Sequence, residues 1–406
     1  MKLLKISLRN IFRNKKRTFL TLSVIVAGIG FSIIGLGWFG GILSNITQEA
    51  VNSTGHVRIT SSDYELKSKS LDVSSNIPFK EIKQTLSKLK ISHEETGVVK
   101  FGALLFENDD IQKNGLGYGI EPSFTKFSEL KESIYEGNFL NFNNKDEILI
   151  GEKLKKQLNL KLGSSVTILT KTADSSISAH NYKVVGFFKF DNGKLNQSFY
   201  ITLKDSWYLL DIEGFVTEYR VYASSKKEVA PLTLEINSLL GKNYEVKRWD
   251  KIGFSATIVS LIPTVQKIVI LIFGILSGVT IANTMIMVIY ERKREIGVMK
   301  AMGVSEKEIF FILSGEGLFL GIIGSFFGII SGGLILFILS KTGVSLGKAL
   351  EGMPSGVSLK SIIYPEFSIL YLVSAFCAGI IIALLATFLP ALKISKEEPA
   401  ALIRDL

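Results

Sequence analysis

The hydrophobic pattern divides the chain into two kinds of segment. Four stretches, 18–47, 263–290, 309–340 and 367–392, are long and apolar. Thr18 to Thr47, Ile268 to Tyr290 and Phe367 to Leu392 carry no charge, and Ile309 to Ser340 carries only Glu316. About 20 apolar residues cross a hydrocarbon core of roughly 30 Å as a helix. Each stretch therefore predicts a membrane span.

Residues 48–262 read differently. Short runs rich in β-branched and aromatic residues predict strands at Glu147 to Ile150, Val166 to Thr170, Tyr182 to Phe188, Ser198 to Leu203 and Val216 to Tyr222. In the fourth run Phe199, Ile201 and Leu203 share one face. Phe79 to Leu89, Glu152 to Leu158 and Lys227 to Leu240 predict helices. Asp191, Asn192 and Gly193, and Gly241, Lys242 and Asn243, predict turns. The expected architecture is an α-helical membrane protein with four transmembrane helices plus a large α+β extracytoplasmic domain.

Charge supplies the orientation. Lys2, Lys5, Arg9, Arg13, Lys15, Lys16 and Arg17 precede the first apolar run with no acid among them. A basic block before a span is retained in the cytoplasm. Residues 1–17 then form a basic amphipathic N-terminal helix on the cytoplasmic side. It follows that 48–262 and 341–366 lie outside, while 291–308 and the tail 393–406 lie in the cytoplasm. The first apolar run is too long for a cleaved signal peptide.

Candidate chemistry is sparse. A single cysteine, Cys377, excludes an intramolecular disulfide framework. His56, His93 and His180 show no ligand spacing, so no metal site is expected. Asp109 with Asp110 and Glu94 with Glu95 read as solvated loop charges, and no catalytic constellation emerges. The net charge of +10 is concentrated in the leader, which argues for a membrane surface rather than nucleic acid.

The loop 291–308 is the most informative stretch. It is charged up to Arg294 and Glu295. It then turns apolar through Ile296, Val298, Met299, Ala301 and Met302, punctuated by Gly297, Lys300 and Gly303. Ser305 followed by Glu308 predicts a capping box that opens the next helix. A short helix with an apolar tip at the cytoplasmic face reads either as a headgroup-binding connector or as a docking element. In the third span Gly317, Gly321, Gly324, Gly328 and Gly332 recur, and in the fourth Ala375, Gly379 and Ala383 are spaced by four. Small residues at this spacing let helices approach closely in lipid, within the bundle or between two copies. Glu316 is an intramembrane acid near the loop. It is expected to serve structurally, by capping or by pairing with the loop's cations.

Taken in order, several segments resemble the MacB/LolC/LolE/FtsX-type permeases of ABC transporters. They are the leader from Leu8 to Thr18, Gly55 to Ile59, Gly119 to Pro122, Glu136 to Leu140, Ile148 to Leu154, Val185 to Phe188 with Phe199 to Ile201, Arg294 to Gly303 followed by Glu316 and Gly317, and Glu398 to Arg404. The likeness is nearest to the lipoprotein-releasing LolC/LolE layout. It implies that the outer domain is a MacB-type periplasmic core domain. It implies that Arg294 to Gly303 is a coupling helix seated on a cytoplasmic ATPase, present in two copies, with a second permease copy or paralogue alongside. The partner would bind ATP and Mg, with no cofactor in this chain. No G-x-x-x-x-G-K-[ST] occurs here, and Gly343 to Ala349 has the wrong spacing.

The resemblance further implies a bacterial inner-membrane protein that extracts lipoproteins from the outer leaflet and passes them to a periplasmic carrier. Lys189, Phe190, Asp191, Asn192 and Gly193 would form the carrier-contact loop. The alternatives are export of peptides or toxic compounds, as in MacB-like pumps, and FtsX-like activation of a cell-wall hydrolase.

Overall fold

A computed structural model describes residues 15–67, 71–107, 111–126, 128–190, 193, 195–346 and 362–404. The basic leader up to residue 14, Asp109 and Asp110, Asp191 and Asn192, and Lys348 lie outside the described residues. The helices are α1 (Lys15–Thr54), α2 (Tyr64–Lys67), α3 (Phe79–Leu86), α4 (Glu152–Leu158), α5 (Leu203–Leu210), α6 (Val229–Leu240), α7 (Gly253–Glu291), α8 (Lys293–Ala301), α9 (Glu306–Thr342), α10 (Ile369–Lys396) and α11 (Pro399–Arg404). The chain divides into two compact units, one built on the apolar helices and one on Asn45–Val259.

In the membrane unit, α1, α7, α9 and α10 contain the four segments long and apolar enough to span a bilayer. The first three apolar runs predicted from sequence fall within their helices, which extend past both ends; the fourth, 367–392, begins two residues before α10, where Ser368 caps the helix by accepting from the Leu370 amide. Glycine sets how they pack. An ideal Cβ on Gly317 would lie 2.1 Å from Thr387 Cγ2, and one on Gly321 would lie 2.5 Å from Ala383 Cβ, so these two glycines admit α10. On another side of α9, Gly324 meets Ile25, Gly328 meets Ile29, and Gly332 would place a Cβ 2.6 Å from the Gly30 Cα of α1. Gly379 of α10 faces Ser325 of α9, and Ala375 and Ala383 are buried. The small residues thus pack helices of one chain together. The fourth helix, α7, lies on α1, where Thr21 and Thr284 share a hydroxyl hydrogen bond of 3.0 Å and Gln266 donates to the Leu36 carbonyl at 3.3 Å.

The second unit is organised by long strands. These are β1 (Val57–Ser61), β2 (Ile77–Pro78), β3 (His93–Glu107), β4 (Ile111–Ile120), β5 (Ile134–Gly137), β6 (Glu147–Gly151), β7 (Ser165–Lys171), β8 (Ile177–Phe188), β9 (Ser198–Thr202), β10 (Phe215–Val216), β11 (Glu218–Ala223) and β12 (Tyr244–Arg248). The main sheet runs β12-β1-β11-β3-β4-β9-β6-β8-β5, and β7 bridges β3 and β8. Pairing therefore closes through β3, β4, β9, β6, β8 and β7 into a six-strand circuit. β3 is long enough to pair with β11 along its first half and with β7 along its second. Closing a circuit removes edges that would otherwise recruit other strands.

Period-two alternation buries two faces. Val99, Phe101, Ile148, Ile150, Phe187, Phe199 and Ile201 enter one core, and Val98, Leu149, Phe188 and Tyr200 enter another. In β4 Gly117 makes room for aromatic neighbours: a Cβ there would lie 2.5 Å from Phe101 and 2.6 Å from Phe199. Leu203, expected to continue the strand of Phe199 and Ile201, instead begins α5, because Thr202 caps that helix by accepting from the Asp205 amide.

A buried ionic cluster joins β1 to β11. Arg58 and Arg220 lie directly opposite each other in the ladder, an arrangement that needs anions nearby. Glu218 supplies one: its Oε2 accepts from Arg220 Nη2 at 2.8 Å and Nε at 3.1 Å, and its Oε1 accepts from Tyr64 Oη at 2.6 Å. Glu65 pairs with Arg58. Burial would raise the Glu218 carboxyl, but the charges of Arg220, Lys100 and Arg58 and the Tyr64 hydroxyl override it and hold it well below the usual carboxylate range. The stabilisation it contributes is therefore present above its unfolded pKa near 4.5 and is lost only as pH falls through the depressed value. Glu218→Gln, which leaves Arg220 buried without its counter-charge, is expected to destabilise this unit by about 3–5 kcal/mol. Denaturant unfolding followed by the fluorescence of Trp207 and Trp249 measures it.

Candidate functional site

The loop between α7 and α9 folds as α8, one short helix that begins immediately after α7 ends. Arg292 closes α7, its amide donating to the Val288 and Ile289 carbonyls. The chain leaves α8 through Gly303 at φ +92°, a left-handed conformation that favours glycine. Ser305 then caps α9: Glu308 donates its amide to Ser305 Oγ at 3.3 Å and receives the Ser305 amide on Oε2 at 2.9 Å.

The ten residues singled out from sequence do not share one environment. Ile296 and Gly297 are buried, and Met299 packs on the core of the membrane unit with Ile394 and Leu402. Lys300 turns inward, its Nζ donating to the carbonyls of Ser395, at 2.9 Å, and Glu397. These carbonyls lie at the C-terminal end of α10, where a cation is favoured by the partial negative charge of the helix end. Behind this contact α11 lies along α8 with Leu402 buried. The other side of α8 faces solvent. Arg294, Glu295 and Ala301 are exposed, Val298 is 43 % exposed and Met302 is 73 % exposed.

The intramembrane acid is held from this loop. Glu316 is buried, and its Oε1 accepts from Arg292 Nη1 at 2.8 Å. Arg292 Nε also donates to Glu295 at 3.0 Å. The guanidinium thus ties the start of α8 to the third turn of α9. Sequence reasoning placed Glu316 near the loop's cations but did not select Arg292 among them. It also gave no role to Lys300 beyond membership of the motif, because partner carbonyls carry no side-chain signature.

In the second unit Lys189 pairs with Glu152 at 3.2 Å. Phe190 is bracketed by Asn196, which receives its amide at 2.7 Å and donates to its carbonyl at 2.8 Å. Asn196 is 5 % exposed and was missed in the sequence. Gly193 is exposed with open space around it. The expected contact loop therefore has a fixed base at Lys189 and Phe190.

These features define a polytopic membrane protein with a large α+β domain between its first two spans. Residues 18–238 match the MacB-like periplasmic core domain and residues 267–399 the FtsX-like permease C-terminal domain, so the chain belongs to the MacB/FtsX-type family of ABC transporter permeases. It is 25 % identical over 433 residues to the uncharacterized ABC transporter permease YvrN of Bacillus subtilis, covering 99 % of this chain and 98 % of that one. It is 22 % identical over 399 residues to the lipoprotein-releasing system transmembrane protein LolE of Haemophilus influenzae, covering 93 % of this chain and 92 % of LolE. The crystal structure of the extracellular domain of the transporter YknZ from Gram-positive bacteria aligns with 47 % of this chain and 99 % of that domain, at 14 % identity and a TM-score of 0.36.

The Arg292–Glu316 pair gives a direct test of how α8 is held. Glu316→Ala is expected to lower the stability of the membrane unit by about 3–5 kcal/mol, with Arg292→Met/Glu316→Leu recovering most of the loss. Thermal unfolding of the purified chain in detergent checks it, and strictly additive single-site effects would deny the coupling.

Proposed function

We propose that this permease is driven by a separately encoded cytoplasmic ATPase that seats on the exposed side of α8. The observation that carries the reading is the division of α8 into two faces. One is fixed to the chain's own core through Ile296, Met299 and Lys300, and the other presents Val298, Ala301 and Met302 to solvent. An apolar surface flanked by Arg294 and Glu295 suits a protein contact with a dry centre and a charged rim. The basic leader supports a cytoplasmic position for α8 and both termini.

On this reading the ATPase, in two copies, binds ATP and Mg, and two permease chains or a permease and its paralogue work together. ATP-driven movement of the ATPases pushes on α8. The push passes through Arg292 to Glu316 in α9 and through Lys300 to the end of α10. The cargo is a lipoprotein taken from the outer leaflet and delivered to an extracytoplasmic carrier at the segment around Gly193. The likeness to LolE along most of the chain supports this choice over export of small compounds or activation of a wall hydrolase.

Met302→Asp places a charge at the centre of the contact while leaving the chain's own packing intact. It is expected to abolish co-purification of the ATPase and its stimulation by the permease, with the unfolding temperature of the permease unchanged. Wild-type recovery of the ATPase with this variant would remove α8 as the docking element. Met299→Asp is expected to lose both partner and stability, since Met299 is part of the core. For the cargo, depletion of the permease is expected to leave lipoproteins in the membrane where they were acylated. Correct sorting after depletion, with loss of peptide export or of hydrolase activity instead, would move the assignment to one of those alternatives.

A further inference from the structure

The membrane unit has a feature that ATPase docking does not use. α7 is the least covered of its spans, with 11 % of its most apolar stretch buried against 44 % for α1. Between α7 and α10 lies an open apolar groove of about 780 Å³. Gly274, Gly278 and Ala282 line it on α7, and from α10 Ile382 reaches Gly274 and Gly278 while Ala386 also approaches Gly278. Toward α8 the groove shares Ile286, Leu389 and Pro390 with a second cleft of about 330 Å³. There the lining changes from apolar to basic: Lys293, Lys393 and Tyr290 stand at the mouth, with Glu397 3.9 Å from Lys293 Nζ. Lys393 is exposed and pairs with no acid among the described residues.

We infer that this groove and its basic mouth form a binding site for an anionic glycerophospholipid of the leaflet on the α8 side. The dimensions fit. Lys267 to Ile286 rises about 28 Å along α7, so the groove runs nearly the full hydrocarbon depth of roughly 30 Å and its half nearest α8 matches one leaflet. An acyl chain laid against the α7 glycines therefore ends with its phosphate level with Lys293 and Lys393. Over that length the mean cross-section is roughly 30 Å², less than half of what a whole helix 10 Å wide fills. Charge points the same way. A two-fold contact of this groove with a second copy would bring the basic mouths of both chains together, whereas a phosphate neutralises them. Tyr290, 68 % exposed, has the amphipathic ring found at the membrane–water interface. The inference concerns only the side on which α8 lies, so it stands or falls independently of what docks on α8.

The test uses the full chain in nanodiscs of equal phosphatidylglycerol and phosphatidylcholine, with lipids retained after detergent transfer counted by native mass spectrometry. The wild type is expected to retain phosphatidylglycerol preferentially. Lys293→Gln/Lys393→Gln is expected to lose that preference, by about fivefold per lysine. Ala282→Phe, which fills the groove, is expected to lower retention of both lipids while keeping their ratio. An unchanged preference in the double lysine variant would overturn the proposal. So would disulfide cross-linking of two copies through Ala282→Cys in a Cys377→Ala background, because it would put a second chain where the lipid belongs. ATPase co-purification measured in parallel separates failure here from failure of the docking assignment.

Discussion

Close approach of helix backbones in the membrane unit is the constraint on which the rest depends. In lipid there is no hydrophobic gain from bringing two apolar helices together, so association relies on packing and on hydrogen bonds across the contact. α9 obtains that packing by presenting glycine in two directions. Gly317 and Gly321 admit α10, while Gly324, Gly328 and Gly332 admit α1. At Gly332 the neighbour is the Gly30 backbone itself, which no side-chain rearrangement can move aside. A span held this closely on two sides has little freedom to tilt against its neighbours. A force applied at its loop end is therefore shared with α1 and α10.

The loop helix is attached to this bundle by polar contacts, although its motif is conspicuous for apolar residues. Arg292 reaches Glu316, and Lys300 reaches the last carbonyls of α10. Both cations are mostly buried, with side chains 12 % and 8 % exposed. Charged groups taken out of water need well-placed partners, so each of these contacts also fixes a geometry. The apolar residues are then left to do two different jobs. Ile296 and Met299 complete the chain's own core, and Val298 and Met302 remain outside it.

That division explains what could be read from the sequence and what could not. The spans are legible because a bilayer demands an uninterrupted apolar run, and the capping box at Ser305 and Glu308 is legible because both partners are local. The strands at Glu147 to Ile150 and Tyr182 to Phe188 are legible as short runs of β-branched, aliphatic and aromatic residues. β3 and β4 escaped, since Thr96 to Gly102 and Gly115 to Gly119 mix polar residues and glycines into the strands, and the need for Gly115 and Gly117 appears only once Phe101 and Phe199 are placed beside them. The α8 motif reads as a helix. Which side of it faces inward depends on Ser395, Glu397 and Leu402, about a hundred positions further along the chain. The Arg58–Glu218–Arg220 cluster was invisible for the same reason, as Arg58 reaches the β11 pair of Glu218 and Arg220 only through the pairing of β1 with β11.

The two ends of the membrane unit are therefore specified by different physics, and this bears on how such a protein can work. Within the bilayer, α9 is bound to its neighbours by shape, through contacts that lose their energy over fractions of an ångström. At the loop, α8 is held by directed charge–dipole contacts and by ion pairs such as Arg292–Glu316 and Lys293–Glu397, which tolerate reorientation better than interlocked backbones do. Load entering at α8 should first reorient the Arg292 and Lys300 contacts and only then displace the glycine-packed spans as a group. α7 is the exception. Glycine contacts join it to α1 at Gly28 and Gly35, and against α10 it meets chiefly Ile382 across an open groove. If one span changes position relative to α10 during a cycle, α7 is the one whose movement breaks the fewest close contacts.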